Sequence, residues 1–166
     1  MRQQKRIIVV AFFLFLVPLL EAGAITSWLP DGRSVSVFPL ALLMSSVVIS
    51  PLSFAYLSLM AAVWRDNMLL APWAQSLVGV CVLLMAHTIA RYTLTNRSLL
   101  VRAVHLLGGY GAYLVGLNIV VLLAGRLGES ATLVLPSVGE VIVAAAVLIG
   151  WAVLVRRESV SSWSLA

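Results

Sequence analysis

Charge is the first thing this chain lacks. Of its 166 residues only 10% are Asp, Glu, Lys or Arg, while 62% are hydrophobic and the mean hydropathy is +1.08. A soluble domain carries about 25% charged residues to solvate its surface. So few charges exclude a water-facing exterior for most of the chain, whose outer surface must instead be apolar and face lipid. Cysteine is nearly absent: Cys81 alone excludes an internal disulfide and a multi-cysteine metal site. It reads as a small apolar residue within a span. No glycine-rich run is followed by Lys-Ser or Lys-Thr, so a phosphate-cradling nucleotide loop is absent. Serine, histidine and aspartate residues are scattered along the chain without a nucleophile–base constellation, which argues against an enzyme.

What remains is a series of apolar runs. A membrane-crossing helix needs about 20 predominantly apolar residues, and the runs predict spans at about 7–24, 35–50, 52–70, 73–90, 103–124 and 133–155. The reading is an all-α integral membrane protein, a six-helix transmembrane bundle forming one domain over 1–166. The basic start followed by an apolar run has the look of a signal peptide, but Glu21-Ala-Gly-Ala is a poor cleavage context, so it reads as a retained first span. Pro30, Asp31 and Gly32 make a turn after it. Ser50-Pro51 ends span 2, because proline lacks an amide hydrogen and restricts its predecessor. Span 3 is the least secure: the stretch Leu52 to Trp64 covers 13 residues before Arg65-Asp66-Asn67. Either the helix runs on to Leu70 or it is broken or re-entrant.

The net charge of +5 is placed asymmetrically. With the N-terminus inside, Arg2, Lys5, Arg6, Arg91, Arg97, Arg102, Arg156 and Arg157 fall on the inner side. Only Arg33, Arg65 and Arg126 fall outside. Eight against three follows the positive-inside rule and places both termini in the cytoplasm. The basic excess is thereby accounted for without a nucleic-acid partner. Asp31, Asp66 and Glu129 lie on the outer side, where Trp28, Trp64 and Trp73 form an aromatic belt.

Few residues are placed to carry chemistry. Glu140 is the acidic residue well inside a predicted span, a third to halfway through span 6. A carboxylate there costs about 2.5 kcal/mol or more unless protonated, paired or turned inward. Asn118, mid-span in helix 5, is its candidate hydrogen-bonding partner. The pair reads either as a structural contact or as a proton or substrate site. Gly108, Ala112 and Gly116 form a small-residue stripe, which lets helix backbones approach closely in lipid. The stripe serves internal packing or a partner's docking face. His87 and His105 lie at similar depth on adjacent spans, the arrangement a bis-histidine haem requires, although two histidines at interface depth are more often simply hydrogen-bonded. No cofactor is otherwise expected.

The arrangement of spans resembles the MreD family, the small membrane component of the bacterial rod-shape, or elongation, system. The resemblance covers the whole chain in plan: five to six spans, about 160–170 residues, a basic start and a last span ending in Arg-Arg. Locally it centres on the sequence from Tyr56 through Asp66 and Pro72 to Gln75. MreD-like proteins have an apolar third helix ending in an aspartate, followed six residues later by a proline that opens the next span. Asp66 and Pro72 match in type and separation. The family pattern is glycine-rich before the aspartate and after the proline, where this chain has Ala62 and Ala74. Asp66 is suited to hydrogen-bond backbone amides where helix 3 stops, and Pro72 to the first turn of helix 4. Arg65 is expected to pair with Asp66 or with a headgroup phosphate.

The resemblance implies a fold like that of the substrate-binding subunits of energy-coupling-factor vitamin transporters. It also implies a non-enzymatic scaffold of the cell-elongation and peptidoglycan-synthesis machinery in the bacterial inner membrane. The implied partners are a bitopic MreC-like protein, a RodA-type glycosyltransferase, a class B penicillin-binding protein and MreB filaments. Two alternatives stand beside it. One is a small-molecule-binding subunit or transporter using Glu140 and Asn118. The other is an accessory subunit of an energy-converting complex.

Overall fold

The computed structural model describes residues 2–21, 37–69, 74–93, 98–126 and 138–161. Among them the fold is all-α, with no strand: α1 Arg2–Leu20, α2 Phe38–Ser46, α3 Pro51–Met68, α4 Gln75–Thr93, α5 Leu99–Arg126 and α6 Val138–Ser161. Pro72, the Pro30–Asp31–Gly32 turn, Glu129, Trp28 and Trp73 lie outside the described residues.

Local chemistry accounts for several boundaries. Pro51 occupies the first turn of α3, where its missing amide costs nothing, and the Ser50 hydroxyl accepts from the Ser53 amide at 3.4 Å. The helix then runs unbroken through Arg65, Asp66 and Asn67 to Met68. Its 18 residues extend about 27 Å. The charged residues do not stop it, because their side chains find partners at its end. Ala74, just before α4, has φ +50°, a left-handed conformation that costs an L-residue roughly 1–2 kcal/mol.

The centre of the bundle is α2. It is apolar on all sides, and Phe38, Pro39, Leu40, Ala41, Leu42, Leu43 and Ser45 are buried, as expected of a helix without a polar face. Around it pack Leu14 of α1, Phe54 of α3, Leu83 of α4, Leu106 and Tyr113 of α5 and Leu148 of α6. The indole N–H of Trp151 donates to the Met44 carbonyl at 3.2 Å, fixing α6 to the end of α2. The most extensive pairing is α4 with α5. There Gly116 and Gly79 meet backbone to backbone: a Cβ on Gly116 would lie 2.7 Å from the Gly79 Cα, and one on Gly79 would lie 2.9 Å from the Tyr113 ring.

Among the described residues, two helices are long and apolar enough to cross a membrane, over Gln75–Tyr92 and Leu100–Arg126. In a soluble protein such helices form the core. Here only 22% and 39% of these stretches are buried. Large apolar side chains also stand exposed elsewhere, among them Phe12 on α1, Leu52 on α3 and Ile142 on α6.

Candidate functional site

Glu21, Arg65 and Asp66 gather at one end of the bundle, where α1 and α3 finish and α2 and α4 begin. Glu21 immediately follows α1 and is 3% exposed. Its Oε1 accepts from the Phe38 amide at 2.8 Å, satisfying one of the unpaired amides at the start of α2. Its Oε2 accepts from Arg65 Nε at 2.7 Å. Arg65 Nη1 donates to the Ser76 hydroxyl at 2.5 Å, and the guanidinium stacks 5.3 Å above the Phe38 ring. Asp66 takes the next start: its Oδ1 accepts from the Ser76 amide at 2.9 Å and its Oδ2 from the Leu77 amide at 3.0 Å.

Each carboxylate thus sits at the N-terminus of a helix, where free amides and the helix dipole favour negative charge. Arg65 lies between them. The Tyr113 hydroxyl of α5 is buried in the same neighbourhood without a hydrogen-bond partner. The arrangement joins four helices by charge-assisted bonds, which are shorter and about twice as strong as neutral ones.

Two expectations from the sequence are corrected here. Asp66 caps the start of α4 across the connection, not the end of its own helix. Arg65 forms its ion pair with Glu21, 44 residues away, because that carboxylate is buried beside it while the oxygens of Asp66 accept from backbone amides. Trp64, expected in an outer aromatic belt, packs its ring 6.2 Å from Phe15, and its indole N–H is buried. No local pattern in the sequence marks the parts played by Glu21, Ser76 and Tyr113. The one available signal was a carboxylate within reach of the first apolar run.

The opposite end of α4 and start of α5 hold the histidines. Their ring nitrogens, His87 Nδ1 and His105 Nε2, lie 2.8 Å apart in a direct hydrogen bond, with the rings edge-on at 4.6 Å. Bis-histidine haem ligation puts an iron between two ring nitrogens, about 4 Å apart for two bonds near 2 Å. These two nitrogens are too close for that. Phe54 lies 5.4 Å from the His87 ring on α3.

The remaining candidates are dispersed. Asn118 donates its side-chain amide to the Leu114 carbonyl of its own helix at 2.9 Å. Glu140 is in the first turn of α6, half-buried and within electrostatic reach of Tyr110. The small-residue stripe divides: Gly116 is in the α4–α5 seam, whereas a side chain at Gly108 would meet nothing within 4 Å. Gly109 faces inward instead, against Leu43 and Leu83. Among the described residues, no group of three or more His, Cys, Asp or Glu side chains is arranged to hold a metal ion. No family model, no curated protein and no solved structure matches the chain.

Proposed function

We propose that the protein is a six-span membrane scaffold of the MreD type, acting through the surfaces it offers to other membrane proteins of the cell-elongation machinery. The observation that carries this reading is the use made of the buried ionic groups. Glu21, Arg65 and Asp66 serve to hold helix ends together, while the outward faces of the helices are apolar. Such a bundle is rigid at one end and presents helix surfaces of the kind that bury against lipid or other helices. Both termini are in the cytoplasm, and the ionic corner lies toward the outer face.

The Asp66–Pro72 resemblance gains support from Ala74. Its left-handed φ of +50° suits glycine, and the family pattern is glycine-rich after the proline. Ala62, at the other departure from that pattern, is fully buried, where a small side chain fits. A MreC-like bitopic protein is the expected direct partner, with a RodA-type glycosyltransferase and a class B penicillin-binding protein beyond it.

Purification from the native membrane in a mild detergent tests the reading. The protein should bring down a bitopic coiled-coil partner in near-stoichiometric amount. Recovery of the chain alone, intact and folded, from cells in which that partner is abundant would refute it.

A further inference from the structure

Beside the histidine pair, at the junction of α4 and α5, is a cavity of about 240 Å³. Its inner wall is Leu43 and Leu83, tight against Gly109. Its other walls include Ala86, Ala90 and Gly108, and Gly108 is exposed with open space where a side chain would be. Both helices are apolar enough to span a membrane here, and on the membrane reading proposed above the opening at Gly108 faces the bilayer sideways. We propose that this cleft binds the head of a membrane-dissolved neutral amphiphile of the quinone class, with its tail left in the surrounding lipid. The inference rests on the membrane reading above and goes beyond the scaffold role.

Size, polarity and hydrogen-bonding capacity carry it. A cavity of about 150 Å³ lined by apolar side chains admits a benzene ring, whereas pockets for whole drug-sized ligands start near 300 Å³. The cleft therefore accommodates a substituted six-membered ring but not the whole of a long-tailed molecule. Its walls are aliphatic or small apart from the two imidazoles, with no Lys, Arg, Asp or Glu among them. A phosphate head would find no counter-charge in the lining itself; Arg91, next to Ala90 and within electrostatic reach of His87, stands outside it.

The shared hydrogen bond occupies His87 Nδ1 and His105 Nε2. That leaves His87 Nε2 and His105 Nδ1 without a hydrogen bond among the described residues. In a neutral pair one outer nitrogen is a donor and the other an acceptor, with the order set by the tautomer. A ring carbonyl or hydroxyl satisfies one of them, and Phe54 packs against the His87 ring.

The chain contains two histidines, which makes the test direct. Full-length protein without a polyhistidine tag is labelled with ¹⁵N-histidine, placed in phosphatidylcholine nanodiscs and titrated with a decyl-substituted 1,4-benzoquinone. One outer nitrogen should shift saturably. Decylbenzene, with the same tail and no carbonyl, should bind about tenfold more weakly, the worth of one hydrogen bond. Gly108→Leu places its Cβ in open space and its branched end at the mouth, and should raise the quinone midpoint at least tenfold while leaving the ligand-free spectrum near that of wild type.

Absence of a saturable shift in folded wild-type protein would overturn the cleft and leave the membrane reading standing. An equal midpoint in Gly108→Leu, or displacement of the quinone by added phosphatidylglycerol, would also overturn it, the latter in favour of an anionic lipid. Recovery of the native chain in the soluble fraction would overturn both readings.

Discussion

Replacing Glu21 by glutamine removes one charge while leaving nearly the same atoms in place. The new amide oxygen still accepts from the Phe38 amide, so the change isolates the ion pair with Arg65. The two side chains are only 4% and 13% exposed, so water does little to replace the lost charge, and Arg65 keeps the Ser76 hydroxyl and the Asp66 charge as partners. Breaking such a pair from one side costs about 3–5 kcal/mol, mostly from the charge left behind. Glu21→Ala should cost about 1–3 kcal/mol more, because the Phe38 amide also loses its acceptor. Arg65→Met alone should be similarly damaging, since it strands the Glu21 carboxylate. The double variant Glu21→Gln with Arg65→Met should recover much of the loss, because no uncompensated charge remains. A double-mutant cycle from equilibrium unfolding in mixed detergent micelles reads the coupling directly. We expect about 2 kcal/mol or more, with the variants still folded at low denaturant. Additive losses, with coupling under about 0.5 kcal/mol, would refute the idea that this pair holds the helix ends.

Other positions give independent checks. Asp66→Asn keeps one acceptor of two and loses the charge at the start of α4. It should cost about 1–2 kcal/mol and speed hydrogen exchange at the Ser76 and Leu77 amides. Gly116→Ala should destabilise by about 1–3 kcal/mol, because its methyl group meets the Gly79 backbone, whereas Gly108→Ala should be neutral or slightly stabilising in the same assay. Ala74→Gly relieves a left-handed residue and should stabilise by about 1 kcal/mol. An unchanged melting temperature would count against that conformation.

The sequence made the helices legible because an apolar run in a chain with few charges has few other fates. Asp66 was readable as a cap, since an aspartate near a helix break has few better roles. Which helix it caps depends on how the chain returns through the next connection, and local chemistry does not determine that. The Glu21–Arg65 pair was invisible because the two residues are 44 positions apart. Each also has a bland reading alone, one as a residue after the first span and the other as an interfacial base. The stripe of small residues includes Gly116, where an added Cβ would meet the Gly79 backbone, but Gly79 itself stands alone in α4 without a stripe. The inward face of α5 passes through Gly109, Tyr113 and Gly116, one residue round the helix from Gly108 and Ala112. The similar depth of His87 and His105 followed from a short connection between helices of opposite direction, but their direct bond required the seam geometry.

The central claim is that this bundle works as a scaffold for cell elongation. Depleting the protein from its native host, and measuring cell width and the pattern of new wall insertion, tests it most directly. The account predicts widening and rounding within a few generations, with lateral wall insertion becoming dispersed, and recovery when the wild-type chain is restored. Cells that stay rod-shaped with unchanged lateral insertion after complete depletion would contradict it.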